Sequence, residues 1–191
     1  MKEEHKSTGR KILSPITNLF VKLGIAPNVL TVSSLPLSVL ACYFFSQGHR
    51  WIGGIFLLII GLFDTIDGEV ARKSGKLSKY GAFLDSVMDR FAEFFVFLGF
   101  FLYYTDQWIS ILIFSTIVSS LLVSYVRARA EGIGEECKIG FMERPMRFAI
   151  MFFGAFILGY RFLPIAFSFI LIGNVYTIIQ RILYVIRKKN L

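Results

Sequence analysis

Cysteine, histidine and acidic residues are scarce in this 191-residue chain, and each shortage narrows what the protein can be. Two cysteines offer no disulfide framework, and two cysteines with two distant histidines form no zinc-site pattern. The chain has 13 acidic residues and 21 lysines and arginines, which gives a formal net charge of +8. The aromatic residues lie in apolar stretches instead of on a basic soluble module, so we do not expect nucleic acid as a partner.

Apolar residues make up 55% of the chain, and the mean hydropathy is +0.63. A helix needs roughly 20 apolar residues to cross a bilayer, and stretches near this length recur. We therefore predict an all-α integral membrane protein with six transmembrane helices. The predicted spans are residues 29–46, 51–68, 82–104, 107–126, 146–160 and 162–184.

The N-terminal segment is polar at first and then mixed, without the uninterrupted apolar run of a signal peptide. Ile16, Leu19, Phe20 and Leu23 recur at helical spacing and predict an amphipathic helix at the membrane surface. We expect one domain over residues 1–191, with 1–27 as the interfacial segment and 28–191 as the six-helix bundle. The alternative is a disordered basic tail followed by an early start to the first span.

Basic residues are distributed unevenly between the two sides that six spans would create. The N-terminus, the connections at residues 72–81 and 127–147, and the C-terminus carry 18 of the 21 lysines and arginines. The positive-inside rule then predicts a multi-pass protein of the cell membrane with both termini in the cytoplasm. The same charge favours contact with anionic membrane lipid.

Four carboxylates flank a short loop on the predicted cytoplasmic side: Asp64, Asp67, Asp85 and Asp89. Spacings of three and four residues place each pair on one helix face. Two carboxylates about 5 Å apart repel by roughly 3 kcal/mol at an effective dielectric of 20, so bound cations are needed. Oxygen-only ligands select Mg²⁺ or Mn²⁺, and four carboxylates can hold two such ions. The site predicts metal-assisted phosphoryl chemistry.

Three residues beside the carboxylates fit a phosphate-containing ligand. Gly68 and Gly81 permit close backbone approach, and Arg72 lies one helical turn beyond Gly68, where it can meet phosphate in a bidentate fork. The pattern D-x2-D-G-x2-A-R-x8-G-x3-D-x3-D, from Asp64 to Asp89, resembles the signature of the CDP-alcohol phosphotransferase family without departure at any defined position. That family also has six membrane helices and an interfacial N-terminal helix.

The resemblance implies transfer of a phosphatidyl-type group from a CDP-linked lipid to an acceptor hydroxyl, with release of CMP and in a homodimer. It implies that Asp64 and Asp85 bridge two metal ions, that Asp67 and Asp89 complete one site each, and that Asp89 also takes the acceptor proton. The implied CDP-lipid ligands are Pro27, Asn28, Thr31, Gly68, Arg72, Ser78 and Gly81.

A second segment, Ser124 to Arg147, is basic and suits an acceptor that carries phosphate. It resembles the phosphatidylinositol-phosphate and archaetidylinositol-phosphate synthases of the same family, so we predict inositol phosphate as the phosphorylated polyol acceptor. The predicted acceptor-phosphate ligands are Arg127, Lys138, Arg144 and Arg181. A positive-inside explanation for each remains open, as do glycerol 3-phosphate as acceptor and the formation of di-inositol phosphate products.

A function of another class is a small cation transporter that uses the intramembrane acids as an ion path. Gly68, Gly81 and Arg72 at fixed distances from the aspartates argue against it, because ion conduction does not require a diphosphate-binding site. The sequence does not distinguish a diacylglycerol from an archaeol donor.

Overall fold

The computed structural model describes residues 14–189 and contains helices and no strands over that range. After a helix at residues 14–22, which we call α1, the order is α2 (Pro27–Ser46), α3 (Arg50–Lys73), α4 (Lys79–Tyr103), α5 (Gln107–Gly132), α6 (Arg144–Phe152) and α7 (Leu163–Lys189). A π-helical turn, Phe153–Leu158, and a 3-10 turn, Tyr160–Phe162, join α6 to α7. Residues 1–13 of the predicted interfacial segment lie outside the described range.

Each predicted span coincides with a helix, although the apolar character differs among them. Within the described range, four helices are long and apolar enough to cross a membrane: Pro27–Ser46, Arg50–Lys73, Gln107–Gly132 and Tyr160–Lys188. α4 is long enough but carries the charged residues Asp85, Asp89, Arg90 and Glu93. α6 has 9 residues before the π-helical turn, which makes it shorter than predicted. The structure thus supports an all-helical protein with four candidate spans.

The helices pack as two groups that meet in one apolar core. α2 packs against α3 and α4, while α5 packs against α7. Gly99 allows α4 to approach α2 closely, because a Cβ there would lie 2.7 Å from the carbonyl oxygen of Cys42. The core continues through Phe45, Phe97, Phe100 and Phe167, all of which are buried. This packing fixes the relative positions of the helices that carry the acidic residues.

Local sequence signals set the helix ends near the acidic residues. α2 begins at Pro27, whose missing amide hydrogen is not needed in a first helical turn. The side chain of Ser78 caps α4 by accepting a hydrogen bond from the Gly81 amide at 2.9 Å. α3 and α4 are joined by residues 74–78 only, so the C-terminal end of α3 and the N-terminal end of α4 lie at the same end of the bundle.

Candidate active site

Three of the four predicted metal ligands converge. One carboxylate oxygen from each of Asp64, Asp85 and Asp89 lies within 4.8 Å of the other two. Asp64 comes from α3, whereas Asp85 and Asp89 lie one turn apart on α4. Because all three donors are carboxylate oxygens, the group suits a hard divalent cation such as Mg²⁺ or Mn²⁺.

The fourth predicted ligand, Asp67, faces a different neighbour. It is 6% exposed, and its Oδ2 accepts a hydrogen bond from the Thr31 hydroxyl at 2.6 Å. Three residues along a helix correspond to about 300° of rotation, so Asp64 and Asp67 share a side of α3 without pointing in one direction. Asp67 consequently joins α3 to α2, beside the group formed by the other three carboxylates.

Six of the seven predicted CDP-lipid ligands line one cavity of about 180 Å³ between α2, α3 and α4. They are Pro27, Asn28, Thr31, Gly68, Ser78 and Gly81, and Asp67 and Asp85 also line it. A Cβ on Gly68 would meet nothing closer than 3.9 Å, so the cavity is open at this position. The seventh predicted ligand, Arg72, is not on the cavity wall: its Nη2 lies 2.7 Å from Glu69 Oε1 and would lie 3.9 Å from a Cβ on Gly68, and its side chain is 47% exposed.

A second cavity of about 400 Å³ lies between α4, α5, α6 and α7, and Asp85 lines both cavities. Its wall contains five arginines, namely Arg90, Arg127, Arg144, Arg147 and Arg181, and five carboxylates, namely Asp85, Asp89, Glu93, Glu131 and Glu143. Three of the four predicted acceptor-phosphate ligands are among these arginines. The site is therefore two adjoining cavities that share Asp85: the smaller is lined by two aspartates and one lysine, Lys76, and the larger is rich in arginine.

Lys138, the fourth predicted acceptor ligand, is not on the wall of this cavity. Its side chain is 70% exposed and pairs with Glu136, and the hydrogen bond from Lys138 lowers the pKa of the Glu136 carboxyl. Arg127 does line the cavity, where its Nε donates to Glu131 at 2.9 Å on a partly exposed helix face.

Arg144 lies across the converging carboxylates. Its Nη1 is 2.8 Å from Asp64 Oδ1 and 2.6 Å from Asp89 Oδ1. Its guanidinium also lies over the Phe148 ring, 4.8 Å from the centroid. The residue that the sequence assigns to acceptor phosphate therefore contacts two predicted metal ligands in the structure.

Arg181 is almost fully buried and binds backbone. Its Nε donates to the Ile139 carbonyl at 2.8 Å and its Nη1 to the Val123 carbonyl at 2.6 Å. Ile139 lies in the segment that joins α5 to α6, so Arg181 holds that segment and α5 against α7. Its side chain reaches the cavity wall with these donors already engaged.

Sequence reasoning missed the pair formed by Glu93 and Arg147. The two guanidinium nitrogens Nε and Nη2 of Arg147 donate to the Glu93 carboxylate, the latter at 2.7 Å, and Nη1 donates to the Met142 carbonyl at 2.7 Å. A signal was available in the sequence, because Glu93 continues the four-residue spacing of Asp85 and Asp89 along α4. Charged residues one turn apart on a largely apolar helix indicate a partner on a neighbouring helix.

Comparison with known proteins gives the same family as the signature. Residues 24–184 match the model of the CDP-alcohol phosphatidyltransferase family. The chain is 30% identical to a phosphatidylinositol phosphate synthase of Cutibacterium acnes, with 98% of each chain covered. It is 38% identical to an archaetidylinositol phosphate synthase of Pyrococcus horikoshii, over 73% of this chain and 74% of the other.

Solved structures agree in fold. The chain is similar to Mycobacterium tuberculosis phosphatidylinositol phosphate synthase in its crystal structure with bound CDP-DAG. The TM-score is 0.84 and the sequence identity 30%, and the match covers 92% of this chain and 94% of the other. The same enzyme in complex with manganese and citrate matches at 0.82 and 30% identity, covering 90% and 87%. Signature, fold and relatives therefore agree, and the chain belongs to the CDP-alcohol phosphatidyltransferase family.

Proposed function

We propose that this protein transfers a phosphatidyl-type group from a CDP-linked lipid to inositol phosphate and releases CMP. The observation that carries the proposal is that two unlike cavities share Asp85: the smaller has one basic residue on its wall, Lys76, whereas the larger has five arginines. A nucleotide donor and a phosphorylated acceptor require such a division. The names of the relatives, which include phosphatidylinositol phosphate and archaetidylinositol phosphate synthases, support this acceptor.

The donor belongs in the smaller cavity. Pro27, Asn28 and Thr31 on α2 would face the cytidine, and Gly68, Ser78 and Gly81 would lie along the diphosphate. A side chain at Gly68 would project into the cavity, which is why a glycine there suits a ligand. Arg72 belongs to the proposed donor set as well, because its Nη2 lies close to Gly68 while it pairs with Glu69.

The acidic residues belong to a divalent metal site. Asp64, Asp67, Asp85 and Asp89 would hold two Mg²⁺ or Mn²⁺ ions, as the signature implies, and the manganese complex of a relative supports the metal class. When bound, the ions neutralise the diphosphate charge. Thr31 keeps the Asp67 carboxylate oriented through its hydrogen bond.

Asp89 is the proposed proton acceptor of the reaction. As the acceptor hydroxyl oxygen bonds to phosphorus and the bond to CMP breaks, the hydroxyl proton passes to the Asp89 carboxylate. Asp89 suits this role because it lines the arginine-rich cavity and also belongs to the converging carboxylates. An acceptor in that cavity would present its hydroxyl at the boundary between the two cavities.

The acceptor phosphate would be met by basic residues of the larger cavity. Arg144 and Arg127 lie on its wall, and Arg181 holds the wall in place through backbone carbonyls. Lys138 remains in the proposed set and would need to move from the surface, where it pairs with Glu136, to reach the same phosphate.

In the membrane we propose one domain of six spanning helices, α2 to α7, with both termini and the site facing the cytoplasm, assembled as a homodimer. The orientation rests on the basic residues that gather at the ends of the helices near the site, and the six spans and the homodimer rest on the family resemblance. α1 is proposed to lie at the membrane surface, because Leu19 and Leu23 are exposed while Phe20 and Val21 pack against the protein.

A panel of acceptors tests the function. Purified protein in detergent with CDP-diacylglycerol and Mg²⁺ should release CMP rapidly with inositol phosphate, and slowly with glycerol 3-phosphate or unphosphorylated inositol. Preference for glycerol 3-phosphate would replace the proposed acceptor, and release with none of the three would overturn the proposal. CDP-archaeol in the same assay compares the two lipid donors. Family membership already decides against the cation-transporter alternative.

A further inference from the structure

The first turn of α6 meets α4 through two ion pairs that are in register. Arg144 and Arg147 are one turn apart on α6, and their partners Asp89 and Glu93 are one turn apart on α4. Arg144 also contacts Asp64 on α3. The two arginines therefore hold α6 against the helices that carry the acidic residues.

The two ion pairs differ in how firmly they are held. Arg147 and Glu93 are 1% and 5% exposed, and all of the contacts described for Arg147 are internal to the protein. Arg144 is 17% exposed and lines the arginine-rich cavity. Both of its ion-pair contacts come from Nη1, and its buried Nε has no hydrogen-bond partner among the residues that the structure describes. Arg147 is thus fully engaged, whereas Arg144 retains donor capacity beside a cavity.

Arg144 and a divalent cation need the same carboxylates. Asp64 and Asp89 belong to the converging group, and their Oδ1 atoms lie 2.8 Å and 2.6 Å from Arg144 Nη1. A Mg²⁺ ion lies about 2.0–2.1 Å from its oxygen ligands, so an ion bound to either Oδ1 atom would compete with the guanidinium for it. Two positive charges this close would also repel one another.

We propose that Arg144 is an exchanging positioning residue: it neutralises Asp64 and Asp89 until a divalent cation binds, and then turns into the adjoining cavity to meet an acceptor phosphate. The Arg147–Glu93 pair keeps the first turn of α6 fixed while the Arg144 side chain moves. This inference rests on the proposed function, which supplies the metal and the phosphorylated acceptor. It adds that both ligands bind cooperatively through one side chain.

The proposal predicts that cation binding and phosphate binding strengthen each other, which can be measured. If the cation releases Arg144 for phosphate, phosphate must strengthen cation binding by the same factor. Removal of the arginine should tighten cation binding, since the competing guanidinium is gone, and should abolish the effect of phosphate. Neither effect requires turnover.

The test is a titration of the full chain in detergent with Mn²⁺, followed by electron paramagnetic resonance, with and without inorganic phosphate. Phosphate should lower the wild-type Mn²⁺ Kd about fivefold or more, after correction for Mn²⁺–phosphate complexes in protein-free samples. Arg144→Gln should bind Mn²⁺ about fivefold more tightly than wild type without phosphate and show no phosphate effect.

Arg90→Gln is the matched control, because Arg90 lines the same cavity and follows Asp89 but donates to Ser86 instead of a carboxylate. It measures what loss of a nearby charge does by itself, and it should retain the phosphate effect. The exchange is overturned if Arg144→Gln binds Mn²⁺ no more tightly than Arg90→Gln, or if Arg144→Gln retains the phosphate effect.

A measurement on the wild type keeps the proposal testable if Arg144→Gln does not fold. Modification by phenylglyoxal, located by peptide mass spectrometry, should be at least about twofold faster at Arg144 with Mn²⁺ than with EDTA, and phosphate should protect it again. Arg147 should remain unmodified throughout. Equal rates with Mn²⁺ and EDTA would overturn the exchange. Failure of CMP release with all acceptors would instead overturn the proposed function, because the titration and the modification do not depend on turnover.

Discussion

Breaking the buried pair between Arg147 and Glu93 should strongly destabilise the protein. Arg147→Met removes the ion-pair partner of the Glu93 carboxylate at a site where the two side chains are 1% and 5% exposed. Loss of one member of a buried pair typically costs about 3–5 kcal/mol. For a chain of this length that corresponds to a fall in Tm of roughly 6–20 °C, at about 2–4 °C per kcal/mol.

The chain offers an exposed ion pair within one helix as a control. Arg127 pairs with Glu131 at 2.9 Å on α5, but these side chains are 38% and 49% exposed. Exposed pairs contribute about 0–1 kcal/mol, so Arg127→Met should lower Tm by less than about 4 °C. Thermal unfolding of both variants in the same detergent gives the comparison directly.

A double variant separates lost attraction from an uncompensated charge. Glu93→Leu combined with Arg147→Met removes both charges, and such replacements are often neutral, so most of the lost Tm should return. The reasoning is refuted if Arg147→Met lowers Tm no more than Arg127→Met. It is also refuted if the double variant lowers Tm by more than the sum of the decreases caused by Glu93→Leu and Arg147→Met alone.

Three further outcomes test the site. Asp89→Asn should lower CMP release by at least about 100-fold while CDP-lipid still binds, and near-wild-type turnover would reject Asp89 as the proton acceptor. Gly68→Leu should raise the KM for CDP-lipid about tenfold or more by filling the donor cavity, with little change in the acceptor KM. Gly61→Leu is its control, because a Cβ there meets no neighbour within 4 Å; equal effects would remove the cavity argument. EDTA should stop CMP release and Mg²⁺ or Mn²⁺ should restore it, so activity that persists in EDTA would contradict the metal site.

Helix positions were predictable because their signals are local. Apolar stretches depend on neighbours a few residues away, and each predicted span coincides with a helix. The prediction was less accurate for α6, which is shorter than expected and continues as a π-helical turn. The extent of a helix beyond its first turns depends on tertiary packing, which a hydropathy pattern does not contain.

The orientation of individual side chains was less predictable. Spacing places Asp64 and Asp67 on one side of α3, yet Asp67 binds Thr31 while Asp64 faces Arg144. Its place near the cytoplasmic end of the last predicted span made Arg181 a predicted acceptor ligand, and the structure shows two of its nitrogens donating to backbone carbonyls. Positive charge near a membrane surface has several physical causes, and only contacts distinguish a ligand from a residue that holds a loop.

The sequence by itself determined the family, the helical class and the acidic signature, because a fixed spacing along a helix is set by its 3.6-residue period. The tertiary structure decided which residues share a cavity. Arg144 lies 80 positions from Asp64 along the chain, and Arg147 lies 54 from Glu93, so these contacts exist only because α6 docks against α3 and α4. Docking depends on the complementarity of several helix faces at once, and it is what brings Arg144 to the carboxylates on which both proposals rest.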